Sequence, residues 1–464
     1  MKRVKLMCAM LVFTLVVGRT AKAQQSFTLK EAQDYAVENS YKTKSAHFDV
    51  EKAKKVIKET LAIGLPQISG EFNFQNFLEI PTQVLPDFIS PTVVQTLVDN
   101  GLLDPADVAQ GSPQTIAAQF GTKYNVSGGI KVEQLIFDGS YFVGLKASQT
   151  YLQLSKNSLE KSEKQIKEDI MRAYASVLIA EENLIIQQEA KLSLEKTFKE
   201  TKAFFENGFV EEQDVDQIRL LFVNAETSAA NAERQVDLAY DFLKFQMGLP
   251  ISESVKLKDS IKNMMWDSNQ DILLAKQFGV EDHIDFRILA TQEEVNSLAL
   301  KNQKVQYFPR ITASYNLTRN YIANDGAFWE SGTEWFPSEI LGVRMSVPIF
   351  SSFQKRARVQ QAKIDLQQVQ LQKLQVKESL ELQAKTAKSD YMFYMSQYNN
   401  DSEGMELAEK IYGRMQIKYN EGVTSSMDLT QSHNQYLEKQ GAYINSLFQL
   451  FDAKASLYQA LNKF

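Results

Sequence analysis

Residues 310–318 read Arg-Ile-Thr-Ala-Ser-Tyr-Asn-Leu-Thr, with Ile311, Ala313, Tyr315 and Leu317 apolar and Thr312, Ser314, Asn316 and Thr318 polar. A period of two places the first set on one face of a β-strand and the second on the other. The pattern recurs after Pro66, where Ile68, Phe72 and Phe74 alternate with Ser69, Glu71, Asn73 and Gln75. It recurs again as Tyr124, Val126, Ile130 and Val132 against Asn125, Ser127, Lys131 and Glu133. A last run sets Leu341, Val343, Met345, Val347 and Ile349 against Gly342, Arg344 and Ser346. Strands are therefore predicted over 66–77, 123–137, 309–321 and 339–350. Their length and two-faced pattern suit strands that cross a bilayer. Two separated hairpins would make a poor soluble sandwich.

Working outward, the chain is two copies of one unit. Leu65-Pro66-Gln67-Ile68 corresponds to Phe308-Pro309-Arg310-Ile311 at a spacing of 243 positions, and Gly129 to Gly342 at 213. Phe205-x-x-Gly208 and Asp214-x-x-Gln217 correspond to Tyr419-x-x-Gly422 and Asp428-x-x-Gln431 at 214. Three blocks in the same order exclude coincidence, and the change of spacing marks an insertion within 79–122 of the first copy. The repeats span about 27–248 and 270–464. Each reads helix, strand, strand, long helix, turn, helix. Thr28-x-x-Glu31 has the form of a capping box opening a helix over 27–62. From Gly139 to Asn207, and from Ser352 to Asn420, no proline interrupts the helical pattern. Each run would be about 100 Å long at 1.5 Å per residue. Val359, Ala362, Leu366, Val369, Val376 and Leu380 form a heptad stripe, and Ile364, Leu371 and Leu374 an offset second one. Two stripes let a helix pack on neighbours at both sides, as a wall requires. Shorter helices over 27–62, 214–247, 270–305 and 424–462 would fill the wall in end-to-end pairs.

Composition narrows the function. The 464 residues carry 51 Lys plus Arg against 57 Asp plus Glu, a net charge of −6 that disfavours a nucleic-acid binder. Residues 1–23 read as a signal peptide: Lys2, Arg3 and Lys5, then an apolar run from Leu6 to Val17, then Ala21-Lys22-Ala23. The one cysteine, Cys8, falls inside it, so the mature chain 24–464 is expected to hold no disulfide and no cysteine metal site. Removing Lys2, Arg3, Lys5, Arg19 and Lys22 takes the charge to −11. His47, His283 and His433 are isolated in helical stretches and read as solvated or capping rather than as metal ligands. No catalytic triad or phosphate loop is present, and no enzyme activity, metal or cofactor is expected. The insertion, with Pro81, Pro86, Pro91, Pro105 and Pro113, reads as a long loop outside the cell.

Four strands cannot close in lipid, where open sheet edges are not tolerated. The chain must self-associate. Two copies give eight strands and an interior filled by side chains, whereas three give twelve and room for a pore.

The order of these parts resembles the TolC-like outer membrane efflux proteins over nearly the whole mature chain. The most specific pieces are the strand-entry prolines Pro66 and Pro309, Phe137-Asp138-Gly139, and the helix-tip turns Asn207-Gly208 and Glu421-Gly422-Val423-Thr424. The resemblance implies a mainly α fold with a transmembrane β-barrel portion: a homotrimer with a 12-stranded barrel in outer-membrane lipid and a periplasmic α-helical barrel. It implies an exit duct of a tripartite efflux or type I secretion system. Its partners would be a periplasmic adaptor (membrane fusion) protein and an inner-membrane pump of RND, ABC or MFS type. It also implies a periplasmic gate. Asp214 and Tyr419 stand where the family links an acid to a tyrosine, and Asp428 stands at the first of two acidic constriction positions. Gln431 replaces the second acid, and Thr424 replaces a basic link residue. Asp214 and Asp428 also fit the first turn of helices, where an acid complements the dipole, and Ser425-x-x-Asp428 has the form of a capping box. Gly208 and Gly422 read as C-terminal helix caps. The rival is a periplasmic coiled-coil adaptor or tether without a pore.

Overall fold

A computed structural model describes residues 25–87, 90–107, 115–265 and 278–464. The signal segment with Cys8, Pro113, and residues 270–277 of the helix expected over 270–305 lie outside the described residues. In chain order the elements are β1 (Gln25–Phe27), α1 (Leu29–Asn39), α2 (Tyr41–Ile63), β2 (Gln67–Asn76), β3 (Thr82–Pro86), α3 (Ser90–Asp99), β4 (Thr115–Gln119) and β5 (Tyr124–Phe137). Then follow α4 (Gly139–Glu206), α5 (Glu212–Met247), β6 (Val255–Leu257), α6 (Ile261–Met265), α7 (Ile284–Val305), β7 (Arg310–Ala323), β8 (Phe336–Ser346), α8 (Gln354–Asn420) and α9 (Ser426–Ala460). The described residues divide into two compact units, one within 55–148 and 298–363, the other within 25–54, 149–297 and 364–464.

The first unit is built on an antiparallel sheet in the order β2-β5-β7-β8. Its register aligns the alternating residues across all four strands: Ile68 faces Val132, Val132 faces Tyr315, and Tyr315 faces Leu341. On the other face Ser69 meets Lys131, and Lys131 meets Asn316. The last strand ends at Ser346, not at 350. Ser346 pairs with Arg310, the first residue of β7 after Pro309, so Val347 has nothing to pair with, and Pro348 has no amide to donate. The insertion is not a plain loop. It holds the antiparallel pair β3-β4 and helix α3, whose Val93 and Leu97 are exposed.

The second unit is helical, with β1 and β6 as a small parallel pair. Its larger core gathers Ile166, Ile170, Tyr174 and Val177 of α4 with Leu243 of α5 and Leu447 and Leu450 of α9. The 3–4 spacing of those α4 residues is what puts them on one face. The helix expected over 27–62 is two helices. Thr28 and Glu31 cap α1 as a reciprocal box, but the chain breaks at Ser40, whose extended backbone ends α1 while its hydroxyl takes the Thr43 amide of α2. The turn after α5 explains the break. Gly248, at φ +75°, sits so close that a Cβ there would lie 2.4 Å from the Asn39 carbonyl oxygen. The described part of the 270–305 segment is also corrected: α7 starts at Ile284, after a short 3-10 turn at Val280–Asp282.

Candidate functional site

The sheet presents two chemically opposite faces. Ile68, Phe72, Ile130, Leu341, Val343 and Met345 project from one of them and remain exposed, Leu341 at 78%. A contiguous apolar patch of this kind marks a surface meant for lipid or protein. Along β5 this face carries Val126, Gly128, Ile130, Val132 and Gln134, with Val126 buried and Ile130 exposed. Aromatic clusters bound it at both ends. Phe328 packs 5.5 Å from Phe74, and Trp335 lies 5.9 Å from Tyr321. At the other end Phe137 lies 6.1 Å from Phe142, and Phe350 lies 5.9 Å from Phe353. Such girdles flank the apolar band of membrane barrels. Sequence reasoning passed over them, although Trp329 and Trp335 beside a strand end were a readable signal. Among the described residues no helix is long and apolar enough to cross a membrane.

The opposite face carries Lys131, Glu133, Arg310, Thr312, Ser314 and Arg344 around a concavity of about 980 Å³. Pro66 and Pro309 each stand immediately before one of these strands, β2 and β7.

The helical unit has two equivalent tip turns. Gly208 (φ +78°) and Gly422 (φ +70°) both occupy the left-handed region, where a side chain would be strained although the space around them is open. Phe209 N–H reaches the Phe204 carbonyl and Val423 N–H the Lys418 carbonyl, each at 2.9 Å. Both ends are thus Schellman caps, and the glycines are there for backbone geometry.

Beyond the turns the two acids behave differently. Asp214 Oδ2 accepts the Glu211 amide at 3.2 Å, while its Oδ1 accepts the Ser426 hydroxyl of α9 at 2.5 Å. Ser426 is buried and also lies 2.6 Å from the Gln217 amide oxygen. Asp428 instead directs one oxygen, Oδ2, to its own turn: to the Ser425 hydroxyl at 2.7 Å, the Thr424 hydroxyl at 3.0 Å and the Ser425 amide at 3.3 Å. Those bonds, Ser425 first and Thr424 next, hold its carboxyl below the usual range. Gln431 lies one turn on, exposed like Asp428 and on the same helix face.

The structure does not make the acid–tyrosine hydrogen bond expected between Asp214 and Tyr419. The Tyr419 hydroxyl accepts from Thr201 at 3.3 Å. Burial chiefly, and the nearby Asp214 charge in smaller part, push its pKa up. The physical reason is position: Tyr419 is buried with Leu194, Ile218 and Leu429, where the hydroxyl of α4 is the partner within reach. The contact that joins the two short helices, Asp214 to Ser426, was missed. Ser426 lies one residue after a capping serine and reads as part of the cap.

The histidines separate. His47 is exposed, and His283 caps α7 through Nδ1, which accepts the Asp285 amide at 3.3 Å. His433 is not solvated: it is 2% exposed against Tyr412, its Nδ1 lacks a partner, and burial lowers its pKa to about 4. Among the described residues no group of three His, Cys, Asp or Glu could hold a metal ion.

The sequence model of the outer membrane efflux protein family matches residues 287–463. No curated protein matches closely enough to count as a relative. Among solved structures, the CmeC outer membrane channel of Campylobacter jejuni matches with a TM-score of 0.67 at 16% identity, over 94% of this chain and 85% of that one. The open-state MtrE outer membrane channel of Neisseria gonorrhoeae gives 0.67 at 16%, over 93% and 88%. The outer membrane protein VceC of Vibrio cholerae gives 0.64 at 14%, over 93% and 95%. These likenesses extend the fold over the first repeat, which the family model does not reach. The outer membrane efflux protein model thus matches residues 287–463, and the likeness of fold to these channels runs along nearly the whole chain.

Proposed function

We propose that three copies of this chain form a passive exit duct, with β2 and β8 as the edges that join between copies into a 12-stranded barrel. The observation that carries the reading is the sheet's exposed apolar face, bounded by aromatics and backed by a polar face, in a chain whose residues 287–463 match the outer membrane efflux protein model. The apolar face meets outer-membrane lipid, the polar face lines water, and the helical unit belongs to the periplasm. Residues 1–23 direct export. A periplasmic adaptor and an inner-membrane pump supply the cargo and the energy, because the chain has no nucleotide loop of its own.

The tip turns form the gate. Asp214 holds α5 to α9 through Ser426, and Tyr419 braces the packing behind them. Asp428 and Gln431 face the constriction, where three carboxylates related by symmetry favour cations. The full-length protein in planar bilayers tests this. Wild type should give cation-selective conductance, and Asp428→Ala should lose the selectivity. Unchanged selectivity would remove Asp428 from the constriction. Absence of conductance under any tip substitution would remove the duct.

A further inference from the structure

The polar face of the sheet is not electrically uniform. Lys131 of β5, Arg310 of β7 and Arg344 of β8 all lie on it, within one concavity of about 980 Å³ near the strand ends that lead to α4 and α8. Two of the three cations are matched. Lys131 is 2.6 Å from Glu133, and the Arg310 Nε lies 3.6 Å from the Asp138 carboxylate. Arg344 makes no hydrogen bond or ion pair among the described residues and is exposed; the Glu133 carboxylate, already bonded to Lys131, is the acid whose charge also reaches it. Across the ladder Arg344 pairs with Thr312, and Ser314 and Ser346 line the same concavity. The remaining carboxylates of this face are Glu71 on β2 and Glu59, at the roof of the concavity.

The opposite ends of the strands have the reverse charge. Residues 324–335, between β7 and β8, contain Asp325, Glu330 and Glu334 and no base. Residues 77–123, between β2 and β5, contain Glu79, Asp87, Asp99, Asp104 and Asp107 against one base, Lys123. An anion on this face is thus drawn to the Arg344 end and repelled from the other, over a strand length of about 45 Å. A planar guanidinium takes two oxygens of a carboxylate or phosphate at once, which lysine cannot do.

We propose that the Arg344 concavity is a binding site for oxyanion-bearing cargo, carboxylate or phosphate, in the lumen of the barrel. The inference rests on the duct reading, which assigns the polar face to the lumen. Three copies would set a ring of Arg344 at one level, the arrangement of anion and phosphate pores. The narrow tip dominates selectivity for small ions, so the site is read by a multivalent blocker.

The probe is tripolyphosphate, applied to the full-length protein in planar bilayers at low and physiological salt. Wild type should be blocked, more weakly as salt rises. Arg344→Gln should raise the half-blocking concentration at least tenfold, and Arg344→Lys should raise it less. Equal half-blocking concentrations in wild type and Arg344→Gln would overturn the site. Calorimetric titration of detergent-solubilised trimer with the same probe decides independently of conduction: binding lost in Arg344→Gln upholds the site, and equal binding removes it. If wild type conducts nothing the duct reading falls, and calorimetry still decides whether Arg344 binds the anion.

Discussion

The two helix-tip turns descend from one repeat and share a backbone, yet their acids have parted roles. Each turn ends its long helix in a Schellman cap on glycine, and each places an aspartate in the first turn of the next helix. After Gly208 the cap residue is Glu211, so Asp214 satisfies one backbone amide and keeps an oxygen for Ser426 on the other helix. After Gly422 the cap is Ser425 with Thr424 beside it, and their two hydroxyls draw Asp428 inward to its own turn. The same carboxylate is a tie between helices in one copy and a local cap facing water in the other. Neighbouring residues decide which.

The largest expected effect comes from the packing behind the turns. Leu429 is fully buried, whereas Val215, its counterpart 214 positions earlier, is only half-buried. Leu429→Ala should cost about 2–5 kcal/mol and Val215→Ala about 1 kcal/mol or less. Thermal unfolding of the detergent-solubilised protein would rank them, and equal losses would mean that the two turns are packed alike.

A pH effect of about 3 kcal/mol belongs to the second copy alone. His433 has its pKa lowered to about 4 from an ordinary 6.5, so it is neutral in the folded chain and takes a proton more readily when unfolded. Its packing is fully favourable above pH 6.5 and is lost progressively as pH falls from 6.5 to 4. The corresponding Arg219 is exposed, so it should add no such dependence. His433→Phe should flatten the stability profile in that window. A profile unchanged by the substitution would show that another group senses the pH.

Much of this was legible and some was not. The alternation at Ile311–Leu317 gave the sheet because a period of two survives any tertiary context in which one face is greasy. The Thr28 and Ser425 caps were legible because both partners lie within four residues. The Asp214–Ser426 contact joins residues 212 positions apart and depends on how α5 and α9 approach, which no local pattern encodes. The same holds for the break at Ser40, imposed by the distant Gly248 turn. The folded insertion was hidden for another reason: β3 and β4 are five residues each, too short for a period to stand out.

The tie itself comes next in size. A hydrogen bond to a charged acceptor is worth about 1.5–3 kcal/mol, and every 1.4 kcal/mol is a factor of ten. Asp214→Ala should therefore raise the open fraction in planar bilayers about tenfold or more, and Ser426→Ala should do the same. Combining them should add little, since each removes the same contact. Tyr419→Phe should do less, because its hydroxyl meets Thr201 and not the acid. If instead Asp214→Ala is silent while Tyr419→Phe opens the tip, the tyrosine is the working partner and the roles assigned to the two acids must be exchanged.

The smallest effect is the most discriminating. Replacing an N-cap serine by alanine costs about 1 kcal/mol of helix stability. Ser425→Ala should show that loss as faster amide exchange in the first turn of α9. It should also release Asp428, whose pKa is low because the folded turn donates to its ionised form. A group with a depressed folded pKa stabilises above its ordinary value and loses that contribution as pH falls through the folded one. Without the Ser425 hydroxyl the titration of Asp428 must move upward, toward 3.8, and the pH at which cation selectivity fails should move with it. Glu211→Ala in the first copy has no hydroxyl donor to remove and should shift neither quantity. Were selectivity to fail at the same pH in Ser425→Ala and wild type, the carboxylate that faces the constriction would have to be sought elsewhere than at Asp428.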